Sequence, residues 1–203
     1  MNELLLRRRV AASKSLPYDA EIEYLETQGN CLIITNAIPS GSQIAISTKF
    51  MFLGYVNSTS WIPWYIAYVN ENTQCFRIAR NGTSNTDIKV NNGAQASGAG
   101  GDASYSVAVN SIYEIETSGR SVTVNGTAKT SRAASSILNT APMRIFNANF
   151  KGRCYYFKMW NGSTAMLDCI PVRVGTVGYM YDKVSKQLFG NAGTGSFILG
   201  PDV

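Results

Sequence analysis

The stretch "QIAISTKFMFLGYV", residues 43–56, decides how this chain folds. Ile44, Ile46 and Thr48 alternate with Ala45, Ser47 and Lys49, which puts an apolar set on one side and a more polar set on the other. A period of two marks a half-buried β-strand, because successive side chains of a strand point to opposite faces. The pattern recurs in both directions along the chain, at "AEIEYLE" (20–26), "QCFRIAR" (74–80), "YSVAV" (105–109), "IYEIET" (112–117), "SVTV" (121–124), "RIFNANF" (144–150) and "RCYYFKMW" (153–160).

Turns punctuate these runs. Asn81-Gly82, Asn92-Gly93, Asn125-Gly126 and Asn161-Gly162 each suit the positive φ angles of two-residue hairpin loops. Three of them, with Asn57, also fit the N-x-S/T acceptor pattern, but a short Asn-Gly-Ser/Thr turn produces that pattern by itself. Residues 91–104 form a glycine-rich loop. Many short strands with regular turns predict an all-β, two-sheet antiparallel sandwich of jelly-roll type.

With 203 residues, the chain divides into a basic N-terminal arm or short helix, 1–16, and one sandwich domain, 17–203. The arm gathers Arg7, Arg8, Arg9 and Lys14 against Glu3, so most of the net charge of +5 lies there and the body is close to neutral. No basic stripe for nucleic acid is left on the body. No apolar run is long enough to span a membrane. The apolar residues of "MNELLLRRRV" precede the arginines, the reverse of a secretory leader. Cys31, Cys75, Cys154 and Cys169 are widely spaced with no CxxC, so buried thiols are expected rather than a zinc site.

The chain contains no histidine. That removes the Ser-His-Asp triad, the Cys-His dyad, HExxH zinc chemistry and the histidine general base. The glycines of "MYDKVSKQLFGNAGTGSFILGP" (180–201) do not form a phosphate loop, since no Gly-Lys-Ser/Thr and no helix follow them. This segment is read as two hairpins. Asp182 accepts backbone hydrogen bonds in the first turn, and "SFIL" closes the sheet after the 190–195 loop.

Three segments, "SIYEIETSGRSVTVNGT" (111–127), "FKGRCYYFKMWNGSTAMLDCIPV" (150–172) and "GYMYDKVSKQLFGN" (178–191), resemble the laminin G-like branch of the concanavalin A-like lectin/glucanase superfamily. The start "MNELLLRRR" (1–9), "LPYDAEIEYLETQGN" (16–30) and "DCIPVRVGTVGYMYDKVSKQLFGNAGTGSFILGP" (168–201) also resemble small proteins of gut anaerobes and their phages or prophages. The resemblance implies a lectin-like sandwich in a phage-like or cell-surface setting, virion-associated or cytoplasmic before assembly. It also places the segment "DAEIE" (19–23) in an edge strand.

Superfamily glucanases carry E-x-D-x-E on one strand, with the carboxylates on one face as two-carboxylate glycoside cleavage requires. Here Asp19, Glu21 and Glu23 stand in the order D-x-E-x-E, and with Ile22 and Tyr24 facing in they read as the solvated side of their strand. Glu114 and Glu116 form a second same-face pair, also read as solvated. No catalytic residue and no cofactor are assigned. Calcium occurs in this fold, but Asp87 and Asp102 lie apart and form no acidic cluster.

A glycan site needs rigid aromatic faces with amides and charges to fix orientation. Trp61, Trp64, Tyr65 and Tyr68 cluster in residues 55–80, and Trp160 precedes the Asn161-Gly162 turn. Tyr155, Phe157 and Met159 are expected in the core. The resulting reading is a non-catalytic module that binds carbohydrate or a surface partner through these five aromatics. The alternatives are a structural particle component that self-associates through its arm, and a glycoside hydrolase using Asp19, Glu21 and Glu23.

Overall fold

The computed structural model describes residues 15–55, 63–70, 74–80, 87–93, 103–118, 121–128, 137–138, 140–147 and 150–203. Most of the expected arm, 1–14, and the Asn81-Gly82 pair lie outside the described residues. The strands of the first half are β1 (Ala20–Glu21), β2 (Leu25–Gln28), β3 (Ile33–Ile34), β4 (Ser40–Gly41), β5 (Ile44–Tyr55), β6 (Pro63–Asn70), β7 (Gln74–Arg80), β8 (Asp87–Gly93) and β9 (Ala103–Ser106). Those of the second half are β10 (Ile112–Ser118), β11 (Ser121–Val124), β12 (Thr127–Ala128), β13 (Ile137–Leu138), β14 (Arg144–Ile145), β15 (Phe150–Asn161), β16 (Thr164–Val174), β17 (Val177–Asp182), β18 (Gln187–Phe189) and β19 (Ile198–Leu199). Among the described residues there is no helix.

The larger sheet has 11 strands, eight of them in the order β12-β11-β10-β5-β15-β16-β17-β18, with β1, β2 and β19 attached beside β15 and β16. The second sheet has six strands in the order β3-β14-β6-β7-β8-β9, and β13 pairs with β4 in a two-stranded ribbon. The expected antiparallel β-sandwich is thus the observed fold.

Alternation builds the core. Ile44, Ile46, Thr48, Phe50 and Phe52 of β5 are buried, and Phe150, Cys154, Phe157 and Met159 of β15 lie beside them. Ile33, Ile78 and Ile145 of the second sheet join the same cluster. The long strands bury apolar side chains by the roomful, each Phe or Ile contributing roughly 1.5–3 kcal/mol.

Two turns show how the Asn-Gly pairs work. Asn125 and Gly126 have φ of 51° and 73°, the paired positive angles of a type I′ loop between β11 and β12. Between β15 and β16, Asn161 pairs with Thr164, so Gly162 and Ser163 form the loop itself. Asn92-Gly93 is not a turn: both residues lie in β8, paired with Phe76 and Cys75.

Four further expectations differ from the structure. "AEIEYLE" is neither continuous nor an edge strand. β1 pairs with β16 and β2 with β15, while β19 and Asp202 pair on the other side, so the segment fills the gap where β15 and β16 diverge. The chain bends at Glu23 as it crosses from one partner to the other, which shifts the alternation. Ile22, Leu25 and Thr27 are buried, and Tyr24 is only half-buried. "RIFNANF" is not one strand, because β14 belongs to the second sheet and Phe150 opens β15 in the first. Phe146 makes the corner with φ of 66°, its buried ring packed against Phe150 and Phe197.

The third correction concerns Tyr155. The register of β15 against β5 shifts between Cys154 and Tyr156, a bulge that inserts Tyr155 and moves it out of the core. The fourth concerns the end of the chain. β17 and β18 form the expected hairpin, but β19 pairs with β2 rather than returning along β18. The 190–195 loop packs on residues 30–32 instead. Asn191 Oδ1 accepts from the Leu32 amide at 2.9 Å, and the Thr194 and Gly195 amides donate to the Asn30 carbonyl at 3.0 and 3.2 Å. A Cβ on Gly193 would stand 2.2 Å from that carbonyl oxygen, so this glycine serves close backbone approach.

Candidate functional site

Lys158 lies between Phe157 and Met159, both fully buried, so it points away from the core, and Trp160 shares its face. The register extends that face across five strands. The row through Trp160 reads Ser121, Ser118, Ala45, Trp160, Ala165. The next row is Thr123, Glu116, Ser47, Lys158, Asp168, and the one after it is Glu114, Lys49, Tyr156. A further row sets Ile112, Met51, Arg153 and Glu26 side by side.

Most aromatic rings on this face are already occupied. The Arg153 guanidinium lies 4.3 Å from the centre of the Tyr24 ring, and Tyr24 meets Tyr155 edge-on at 5.7 Å. Lys49 Nζ stands 5.4 Å from the Tyr155 ring, and Lys158 Nζ the same distance from Tyr156. Tyr156 Oη donates to Glu114 Oε1 and lies 3.2 Å from Ser47 Oγ. Burial, and then that bond to Glu114, push the Tyr156 phenol up to about 12.

Trp160 is different. Its half-buried side chain makes no hydrogen bond, ring contact or cation contact with the described residues. Its cross-strand neighbours on both sides are alanines, Ala45 and Ala165, so the indole rises above its row. Beside it, Lys158 Nζ and Asp168 Oδ1 stand 3.8 Å apart, and Asp168 Oδ1 is buried without a hydrogen-bond donor.

The other candidate aromatics sit elsewhere. Trp61 lies outside the described residues. Trp64, Tyr65 and Tyr68 are carried by β6, between β14 and β7 in the second sheet, and their side chains lie outside the described residues. Trp160 and β6 therefore belong to different sheets. Tyr24, Tyr155, Tyr156 and the alanine flanks escaped sequence reasoning, because each depends on register between distant strands.

The carboxylates of the D-x-E-x-E segment have structural partners. Asp19 Oδ2 accepts from the Gly175 amide at 2.6 Å, and Glu21 Oε1 accepts from Tyr18 Oη at 2.9 Å. Glu23 is exposed at the bend. Asp182 is fully buried, and its carboxylate accepts from the amides of Asp168, Val184 and Ser185 and from Ser185 Oγ. Among the described residues no three His, Cys, Asp or Glu side chains converge as a metal site. Cys31, Cys154 and Cys169 are buried and not in disulfides. No helix of the described residues is long and apolar enough to cross a membrane.

No protein family and no curated protein matches the sequence. Solved structures do. A candidate carbohydrate-binding protein from Bacteroides ovatus superposes with a TM-score of 0.59 at 11% identity, over 88% of this chain and 60% of that one. The chain thus spans about 60% of that protein's length. A heptameric SAP-like pentraxin from Limulus polyphemus gives a TM-score of 0.45 at 12% identity, over 91% of this chain and 96% of that one. At 11% identity the likeness to the B. ovatus protein is one of fold alone.

Proposed function

We propose that the chain is a non-catalytic recognition module that binds carbohydrate on the outer face of its larger sheet, with Trp160 as the anchor. The observation that carries this reading is the uncommitted indole between Ala45 and Ala165. Stacking a sugar ring there requires no rupture of existing contacts among the described residues, whereas Tyr24, Tyr155 and Tyr156 would have to release a cation or a hydrogen bond. The fold shared with a candidate carbohydrate-binding protein of B. ovatus supports it. Trp61, Trp64, Tyr65 and Tyr68 are proposed as further candidate aromatics, the last three carried by β6 of the other sheet. The resemblance to proteins of gut anaerobes and phages supplies the proposed setting, a phage-like or cell-surface one. The bonds held by Asp19 and Glu21 favour a structural role for those carboxylates over glycoside hydrolysis.

A glycan array on the purified protein, followed by Trp160→Ala, tests the reading. Truncating a true anchor weakens binding by roughly 1–4 kcal/mol. A core tryptophan would instead lower stability by about 3–5 kcal/mol. Lost stability with unchanged affinity would overturn the assignment.

A further inference from the structure

Building on that carbohydrate reading, we infer that the ligand is an uncharged glycan, seated on Trp160 along the Ser121–Ser118–Ala45–Trp160–Ala165 row, with its hydroxyls directed to Glu116, Lys158 and Asp168.

The row itself carries only hydroxyls, methyl groups and the indole. The two rows beside it set Lys49 and Lys158 against Glu114, Glu116 and Asp168, a small excess of negative charge. A uronate or sulfate over Trp160 would face that excess. Two of the cations are also engaged: Arg153 is held by Glu26 at 2.6 Å and by the Tyr24 ring, and Lys49 by the Tyr155 ring. Recruiting one of them for an anionic ligand would strip a carboxylate or an aromatic face of its partner.

A neutral hydroxyl fits better. Asp168 Oδ1 lacks a donor, and Lys158 Nζ at 3.8 Å is beyond hydrogen-bond range. Lys158 is part-exposed on a flexible stem, so it can yield to a hydroxyl that donates to Asp168 Oδ1 and accepts from Nζ. Lys158 shares its strand face with Trp160 one two-residue repeat away, so one stacked sugar reaches both.

The test uses the full chain in affinity electrophoresis and calorimetry. The probes are neutral polysaccharides (laminarin, mannan, xyloglucan) and acidic ones (polygalacturonate, alginate, heparin), each at low and high salt. Trp160→Ala and Ala165→Gln are compared with the parent chain; the second fills space beside the indole at an exposed position and leaves the core intact. The expected result is binding to a neutral polysaccharide that changes less than about two-fold with salt. It should fall about ten-fold or more in either variant. Acidic glycans bound more tightly, with loss in the variants and at high salt, would overturn the uncharged-ligand inference and keep the carbohydrate reading. Binding to neither class, or binding that both variants leave intact, would overturn both.

Discussion

Arg153 Nε donates to Glu26 Oε2 at 2.6 Å, and Glu26 is only 6% exposed. The two residues sit opposite each other on β15 and β2, at the place where the start of the chain enters the larger sheet. Gln28 Nε2 holds the other Glu26 oxygen at 2.5 Å, and the guanidinium also covers Tyr24. A polar clasp thus fixes a segment close to the one that the family resemblance places in an edge strand.

Breaking that clasp from the Arg153 side should be the more damaging change, because it leaves a buried carboxylate short of its cation. Arg153→Ala is expected to cost about 1–3 kcal/mol and Glu26→Gln less, since the amide still accepts a bond. Urea denaturation of both variants and of the double variant checks this. Fully additive effects would show that the pair is not coupled.

Asp182 anchors the β17–β18 turn. Burial works against its charge, but bonds from the Asp168 amide, the Ser185 hydroxyl and amide and the Val184 amide outweigh it and hold the carboxyl below its ordinary 3.8. A depressed folded pKa contributes stability that is present above the unfolded value and lost as pH falls through the folded one. Melting temperature should therefore decline below about pH 4. Asp182→Asn should cost about 1–3 kcal/mol at neutral pH and flatten that acid decline. An unchanged acid slope in the variant would count against the assignment.

Gly193→Ala forces a methyl group against the Asn30 carbonyl. The nearest obstacle is backbone, so relief requires the 190–195 loop to move, at a cost of about 1–3 kcal/mol. Thr194→Ala is the control. Its contact with Asn30 is through the amide, and its side chain is exposed, so the change should stay within about 0.5 kcal/mol. Thermal melts of the two variants separate steric approach from general loop sensitivity.

The sequence made the local part of this fold readable. Ile44, Ile46 and Thr48 announce their shared face within five residues, and Asn125-Gly126 announces its turn in two. Asp182 could be read as a turn anchor because its partners lie close in the chain. Tyr155 could not be placed, since the bulge that turns it outward exists only against β5. The crossing of 20–28 between β16 and β15 depends on β19, nearly the whole chain away. For the candidate site, Trp160 stood out as an aromatic beside a turn. The alanines that leave it clear come from two other strands, and no short-range signal links them to it.

The last prediction concerns Tyr156, whose phenol bonds Glu114 beneath the Lys158 ammonium. Burial first, and the carboxylate second, raise its pKa from 10.0 to about 12. In the unfolded chain the phenol ionises near its ordinary value, so between pH 10 and 12 the unfolded state sheds a proton that the folded state keeps. Stability from this group is therefore complete below pH 10 and drains away as pH rises toward 12. Tyr18, raised to about 12 by burial and by Glu21, adds a parallel loss. Tyr156→Phe should cost about 1 kcal/mol at neutral pH through the missing hydrogen bond. It should also lose less than the parent chain on the alkaline side, with the Tyr18 share remaining. Melting temperatures of the two proteins across that range provide the measurement. Parallel alkaline curves would mean that Tyr156 titrates as it does in the unfolded chain, and that its bond to Glu114 does not hold the proton.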